Sequence, residues 1–418
     1  MAGRDPTRTM RYRDLFRDAE FAGMYVADVL TMSGTFLTRL AVAALVYQRT
    51  GSVSQTGAVF AASFAPHLLG PWLATLADIF PRRGLLILSD VVRCGMVLLL
   101  LIPSVPYWLV LTVVFLLELI QIPFGSSRLA TLADILDEVS FPVGNALVGA
   151  TRQALQVSSF AVGGVLIAAT SPQTALVLDS ASYLVSAVLI YMFVKRRPLP
   201  WHGEAERPRV WSGALEGLRV VRRTPHMAQW FWLLALGPGI VVISEGLAVP
   251  FAQEDLGGGT RLAGLLMGAL ALGNLVGFAV FGRFRVELQN RLIYPLAYSS
   301  GGFVFMIGLL AVAFGSVIPI LLAIALSGAA MSYLLAIQAR VAAIIPRVAR
   351  GRVFGLGNTV MQLAQGTTIL SAGAVADALP VGVGGALVLF GAVGVVAVSV
   401  VQWRDWMTDR TTASAAEA

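Results

Sequence analysis

Long apolar runs separated by short polar stretches make up most of this chain. An α-helix needs about 20 apolar residues to cross the roughly 30 Å hydrocarbon core of a bilayer. Runs of about that length recur from near the start of the chain to near its end and predict twelve membrane-spanning helices. We place them at residues 24–47, 53–76, 86–103, 107–127, 145–169, 173–194, 228–251, 261–282, 291–314, 316–339, 354–377 and 381–401.

The composition agrees with a membrane protein. Of the 418 residues 57% are hydrophobic and 13% are charged, and the mean hydropathy is +0.78. A soluble domain carries about 25% charged residues, so this chain lacks the polar surface to cover a globule of its size. We therefore predict an all-α membrane protein whose surrounding partner is the lipid bilayer.

Arginines fall in alternate loops, which predicts the orientation of the chain. They occupy the N-terminal segment, the loops near 82–83 and 128, the segment 195–226, and the later loops near 283–291 and 347–352. Cytoplasmic loops carry such an excess of positive charge. The pattern places both termini in the cytoplasm, and it accounts for the net charge of +7 without a nucleic-acid partner.

The polar segment 195–226 divides the chain into residues 1–194 and 227–418, each with six predicted helices. The two halves are similar in sequence at a few positions: an arginine recurs at Arg128 and Arg340 and an asparagine at Asn145 and Asn358, each pair about half a chain apart. Paired six-helix repeats with a substrate path between them are a common plan of secondary transporters. We predict two pseudo-symmetric six-helix bundles joined by a cytoplasmic linker loop.

Four stretches carry a family resemblance: "GPWLATLADIFPRRGLLILSD" between spans two and three, "NALVGATRQ", "LDSASYLVSAVL" and "GRVFGLGN". With them the sequence resembles the major facilitator superfamily, and within it the drug and siderophore exporters typified by enterobactin and macrolide exporters. The resemblance implies the major facilitator fold, a small-molecule substrate, protons as the coupling ion and efflux by antiport. It also implies a monomer in the plasma membrane of a bacterium.

The same resemblance implies a cytoplasmic gate motif. Asp78 would hold the gate closed by a charged contact between the halves, with Arg82 and Arg83 at the turn and Asp90 and Arg93 beside it on span three. Breaking such a contact at a partly dry interface is costly, so it biases a two-state equilibrium. The alternative is a short solvated loop whose arginines only follow the charge bias of cytoplasmic loops.

Ionisable residues inside spans are expensive and usually face a cavity or a partner. The candidates for cavity charges or proton carriers are Glu118, Glu245, Asp28, Arg39 and His67. Arg39 either pairs with Glu118 or binds an anionic substrate, and the alternative for both is an ion pair without a transport role. In span five, Gly163 and Gly164 predict close helix packing.

Other classes of function find little support in the residues. There is no phosphate-binding G-x-x-x-x-G-K-[ST] loop, no nucleophile elbow and no metal-binding H-E-x-x-H pair; the single cysteine and three scattered histidines suggest no metal cluster. We expect no enzymatic activity, cofactor or metal. Two alternatives to an exporter remain: a proton-coupled importer, and a non-transporting membrane scaffold or sensor of the same fold.

Overall fold

The computed structural model describes residues 12–74, 76–197, 219, 221, 224, 226–345, 350–378, 380 and 382–417. Within these ranges the secondary structure is helical, without strands. Twelve helical segments follow one another in the described chain, and we number them α1–α12. The first six are α1 Ala19–Thr50, α2 Val53–Phe64 with its continuations Ala65–Leu69, Gly70–Ala74 and Leu76–Ile79, α3 Arg82–Leu99, α4 Tyr107–Ile135, α5 Ser140–Ala169 and α6 Pro172–Phe193.

The second six segments follow the linker. They are α7 Met227–Val241 with its continuations Ile243–Gly246, Ala248–Pro250 and Phe251–Asp255, α8 Gly259–Phe281, α9 Ile293–Ala313, α10 Val317–Ala330 with Tyr333–Ile344, α11 Arg350–Ala378 and α12 Gly382–Glu417. Short helices at Tyr12–Leu15 and Val286–Arg291 precede α1 and α9. By length and composition, eight helices of the described chain could cross a membrane. The predicted all-α membrane fold with twelve helices is confirmed.

Some helices end later than predicted, because the helix continues beyond its apolar residues. α4 continues to Ile135 and α12 to Glu417, beyond the predicted ends at 127 and 401. Arg128, predicted in a loop, therefore lies inside α4, and that placement was wrong. Hydropathy marks the part of a helix that lies in hydrocarbon, whereas the backbone hydrogen bonds continue into the aqueous layer wherever no glycine or proline stops them.

Regular α-helix is interrupted in two segments, α2 and α7, and a proline lies at or near each interruption. In α2 a 3-10 turn, Ala65–Leu69, contains Pro66, which lacks the N–H needed for an uninterrupted α-helix. In α7 regular helix ends at Val241, shortly after Pro238, and the segment ends in a π-helical turn, Phe251–Asp255. Such irregular turns expose backbone groups and are frequent at functional sites.

The helices form two bundles that meet along two helix pairs. In the first half α1 packs against α5 and α6, and α3 packs against α4 and α6. In the second half α9 packs against α12, and α8 against α10. The halves join through α2 with α11 and α5 with α8. In a six-helix repeat α2 corresponds to α8 and α5 corresponds to α11. The two pairs are therefore equivalent, as the predicted pseudo-symmetry requires.

The start of α1 and the end of α12 lie at one end of the molecule. We call this the terminal end. The opposite end, which we call the distal end, carries the turn 50–53 between α1 and α2, the end of α11 and the start of α12. Each pair of successive helices runs from one end to the other and back. A residue's distance from either end of its helix therefore gives its depth in the bundle.

Glycines bring the halves into backbone contact near the distal end. A Cβ atom added at Gly164 of α5 would lie 2.8 Å from the Cα atom of Gly264 in α8. A Cβ atom at the neighbouring Gly163 would lie 2.8 Å from a methyl carbon of Leu37 in α1. Small residues permit such close approach of helices in membranes, so Gly164 contributes to contact between the halves and Gly163 to packing within the first.

We expect Gly164→Ala to lower the thermal unfolding midpoint of the purified protein, because the new methyl group meets backbone atoms that cannot turn aside. The cost of such overpacking is about 1–3 kcal/mol. Gly149→Ala in the same helix is the matched control, since no atom lies within 4 Å of a Cβ atom there, and alanine raises helix propensity at both positions. Equal midpoints for the two variants would contradict the close contact.

Candidate functional site

A charged pair lies in the interior of the first half. A guanidinium nitrogen of Arg39 in α1 lies 2.8 Å from a carboxylate oxygen of Glu118 in α4. Each residue lies about 11 positions from the distal end of its helix, which at 1.5 Å per residue is a depth of about 16 Å. That depth is close to the middle of a hydrocarbon core about 30 Å thick.

Arg39 and Glu118 line a small pocket. It has a volume of about 50 Å³ and is lined only by residues of the first half, among them Thr35, Arg93, Gln121 and Tyr183. Sites for organic ligands measure about 300–1,000 Å³, so the pocket holds at most one or two water-sized molecules. It is therefore too small to be a chamber for an organic substrate.

Glu245 and His67 approach the same pair from other helices. Glu245 lies in the interrupted part of α7, about 10 positions from the distal end, and its charge interacts with that of Arg39. His67 lies in the 3-10 turn of α2, within electrostatic reach of Glu118 and Arg39. Four of the five predicted cavity residues thus come together, and Glu245 reaches them from the other half of the molecule.

The fifth candidate, Asp28, lies closer to the terminal end. Its carboxylate is 3.0 Å from a guanidinium nitrogen of Arg128 in α4, and the residue is buried. Arg152 of α5 is exposed, and its charge interacts with those of Asp28, Arg128 and Glu118. Sequence reasoning missed Arg152, although its position inside the predicted span 145–169 was the signal that could have identified it.

Asp90 and Arg93 lie in the interior of the first half and are separated from the predicted loop motif. Ser186 of α6 donates a 2.6 Å hydrogen bond to Asp90, which is fully buried, and Arg93 lies 3.5 Å from the other carboxylate oxygen. Arg93 also donates to the Tyr183 hydroxyl at 3.1 Å and lies 4.3 Å above the same ring. This network joins α3 to α6, and two of its members, Arg93 and Tyr183, line the small pocket beside Arg39.

Arg82 and Arg83 remain at the terminal end. Arg82 forms an ion pair with Asp134 of α4, a residue that sequence reasoning did not select. Arg83 donates a hydrogen bond to the backbone carbonyl of Tyr191 in α6 and lies 4.9 Å above its ring. The backbone of Asp78 belongs to the short helix Leu76–Ile79, but its side chain lies outside the described part of the structure, so its gate role stays a prediction.

A carboxylate joins the two halves at the distal end. Asp377 of α11 accepts hydrogen bonds from the backbone N–H groups of Val53 and Ser54, at 3.0 and 2.9 Å, and from the hydroxyls of Ser52 and Ser54, at 2.8 and 2.5 Å. It thereby caps the first turn of α2, whose N–H groups have no partner within the helix.

A second contact closes the same end. The Tyr47 hydroxyl of α1 donates a hydrogen bond to Glu254 at the end of α7. Together with the Asp377 cap and the Gly164 contact, it holds the halves together at the distal end on three sides. The charged cluster at Arg39 lies beneath this closed surface.

Comparisons with known proteins place the fold. The Major Facilitator Superfamily profile matches residues 24–366, and a search of the curated proteins gave no match. The structure is similar to that of nucleoside transporter NupG, with TM-score 0.73, 12% identity and coverage of 92% of this chain and 98% of that one.

Two further solved structures are similar over nearly their whole length. A POT family transporter in complex with 5-aminolevulinic acid has TM-score 0.74 and 11% identity, covering 93% of this chain and 96% of that one. A bacterial homolog to the human lysosomal transporter Spinster, inward-facing and occupied, has TM-score 0.67 and 13% identity, covering 97% and 98%. At these identities the likeness concerns the fold alone.

The central pair predicts unequal effects of neutralising its two members. Arg39→Gln leaves Glu118 and Glu245 without their cation, whereas Glu118→Gln leaves Arg39 beside Glu245. We expect Arg39→Gln to lower the free energy of unfolding by about 2 kcal/mol, less than the roughly 3–5 kcal/mol for a fully buried pair, and Glu118→Gln to lower it less. Chemical denaturation in detergent measures both, and the double variant should recover part of the loss. Equal costs for the single variants would contradict an interaction of Arg39 with Glu245 as well as with Glu118.

The Asp377 cap predicts a change in distal closure. Asp377→Asn loses the charged acceptor of four donors, which costs about 1.5 kcal/mol or more and favours separation of the halves there. In a Cys94→Ser background, Leu247→Cys, a buried position that faces Gly57 of α2, should then react with a maleimide roughly tenfold faster. Asp405→Asn, whose carboxylate binds His226 and Tyr294 within the second half, is the control. No acceleration, or the same acceleration in the control, would contradict the closing role of Asp377.

Proposed function

Because this chain belongs to the Major Facilitator Superfamily, we propose that it is a secondary active transporter that exports a small organic molecule in exchange for protons by alternating access. The observation that supports this proposal best is the position of Arg39, which is paired with Glu118 of its own half and interacts electrostatically with Glu245 of the other. Because Arg39 interacts with carboxylates of both halves, binding of a proton to one of these carboxylates changes the interaction between the halves and can thereby change their relative position.

The proposed coupling follows from competition for Arg39. While Glu118 is ionised, it holds the guanidinium at 2.8 Å. A proton bound to the Glu118 carboxylate removes the negative charge and weakens that contact, so Arg39 is free to interact with Glu245 or with an anionic group of a substrate. Release of the proton restores the pair. Intramembrane carboxylates with such partners are the usual carriers of protons in transporters.

Alternation also needs gates at both ends of the path. At the distal end the Asp377 cap and the contact between Tyr47 and Glu254 supply the closing contacts. At the terminal end the proposed gate is the loop of Asp78, with Arg82 and Arg83 at its turn. The excess of arginine at the terminal end supports a cytoplasmic location of both termini. The proposed place in the plasma membrane of a bacterium rests on the resemblance to enterobactin and macrolide exporters.

The direction and the class of substrate rest on the resemblance to enterobactin and macrolide exporters. Siderophores, macrolides and similar drugs or secondary metabolites are therefore the proposed cargo. The exposed Arg152, near Asp28 and Arg128, adds a cation for a substrate that bears an anionic group. We further propose that the chain acts as a monomer, because its two halves already provide both walls of the path.

The first test compares cells and medium by untargeted mass spectrometry, using a strain without the gene and the same strain that carries it. A compound that accumulates in cells lacking the chain and returns to the medium with it would identify the substrate and establish export. The opposite distribution would establish import. A non-transporting scaffold would be favoured if cells and medium have the same composition with and without the gene, and if joint neutralisation of Glu118, Asp28 and Glu245 also leaves that composition unchanged.

With the substrate identified, Glu118→Gln separates coupling from transport. Glutamine resembles the protonated carboxyl group, so we expect transport driven by a pH gradient across proteoliposomes to be lost while exchange of labelled for unlabelled substrate persists. Glu287→Gln, at an exposed position in the short helix before α9, is the matched control and should behave as wild type. If proton-driven transport by Glu118→Gln equals that of wild type, Glu118 does not carry the proton.

A further inference from the structure

A large groove lies on the outside of the first half at the terminal end. Its volume is about 1070 Å³, and its walls come from α3, α4, α6 and the residues that follow α6. All of its lining residues belong to the first half, so the groove is separate from the path between the halves. It is far larger than the pocket of about 50 Å³ beside Arg39.

The groove carries a surplus of positive charge. Its five cations are Arg82, Arg83, Lys195, Arg196 and Arg197. Two carboxylates compensate part of this charge: Asp134 pairs with Arg82, and Glu20 accepts hydrogen bonds from Arg197 at 2.6 and 3.1 Å and lies 3.9 Å from the Lys195 amine. Three positive charges therefore remain uncompensated within the described groove.

The start of α3 adds to this potential. Pro81 occupies the N-cap position and provides no side-chain hydrogen bond to the first turn. The turn is open towards the groove at Gly84, where an added Cβ atom would meet only Pro81, at 4.0 Å. Free N–H groups and the dipole at a helix N-terminus favour an anion such as a phosphate.

Below the cations the groove is apolar. Leu88 and Val91 of α3 and Tyr191 of α6 line it with exposed fractions of 60%, 49% and 60%. Their positions within membrane-spanning helices make them contact surfaces for lipid acyl chains. A cationic rim above an apolar wall matches the two parts of a phospholipid, a phosphate headgroup above hydrocarbon chains.

We propose that this groove is a binding site for an anionic phospholipid of the leaflet at the terminal end. The headgroup phosphate lies between Arg83 and Arg196, near the first turn of α3, and an acyl chain follows Leu88 and Val91 along the outside of α3 and α6. The lipid links α3 to residues 195–197, where the chain leaves the first half. Basic pockets between membrane helices bind anionic headgroups by this chemistry.

The proposal is tested on the full-length protein by native mass spectrometry in detergent, titrated with phosphatidylglycerol or phosphatidylcholine. The groove variant is Arg83→Gln with Arg196→Gln, which removes two cations that have no carboxylate partner in the described groove. The control variant is Arg285→Gln with Arg291→Gln, two exposed positions at the same end of the second half. A third variant, Arg83→Lys with Arg196→Lys, keeps the charge and tests for loss of binding through altered packing.

We expect the wild type, the control and the lysine variant to bind phosphatidylglycerol at least about tenfold more tightly than phosphatidylcholine, and the groove variant to lose most of that preference. Equal loss in the control variant would show that binding follows only the overall charge of this end and would overturn the proposal. Retention in the groove variant would overturn it as well. Displacement of the lipid by millimolar inorganic phosphate would show that the groove is a site for free phosphate and not for lipid.

Discussion

An ionised side chain inside a membrane protein needs a partner of opposite charge, and this requirement organises the first half of the molecule. Two ion pairs, Asp28 with Arg128 and Arg39 with Glu118, join α1 to α4 at two depths. Asp90 and Arg93 join α3 to α6 through Ser186 and Tyr183. Breaking any of these pairs leaves a charge in a medium of low polarity, so the relative positions of four helices are fixed by electrostatics as well as by packing.

The second half is similar in backbone but different in chemistry. Its helices approach closely at glycines: Gly273 of α8 faces a backbone carbonyl of α10, and Gly308 of α9 faces backbone atoms of α12. Two of its described acidic residues, Asp255 and Asp377, lie at helix ends, whereas Glu245 lies within the interior. The two bundles thus share a backbone plan, but among the described residues the first has more charged ones in its interior than the second. Arg39 of the first bundle interacts with Glu245 of the second.

Hydropathy and charge were enough to predict the twelve helices. That Arg39 could pair with Glu118 was expected from the family resemblance, which makes spans one and four neighbours. The rotation of each helix about its axis was not accessible in this way. Asp90 and Arg93 read as neighbours of the charged loop, yet both side chains point into the bundle, because α3 turns that face towards α6. Arg128 was not selected because it lies at the end of an apolar run, where an arginine usually extends to the aqueous layer, and only tertiary packing pairs it with Asp28. Arg152 lies inside a predicted span and could have been selected on that ground.

Glu20 at the start of α1 accepts hydrogen bonds from the backbone N–H of Lys195 and from Arg197, which fastens the beginning of the linker to the first bundle. The next described residue along the chain that is buried is Val221, and a stretch of that length can reach at most roughly 80 Å. A connection of that length does not by itself limit how far the two halves can separate below that distance. The two bundles are in this respect comparable to two subunits of a heterodimer. The noncovalent contacts between the bundles, and not the linker, set the rate at which they separate.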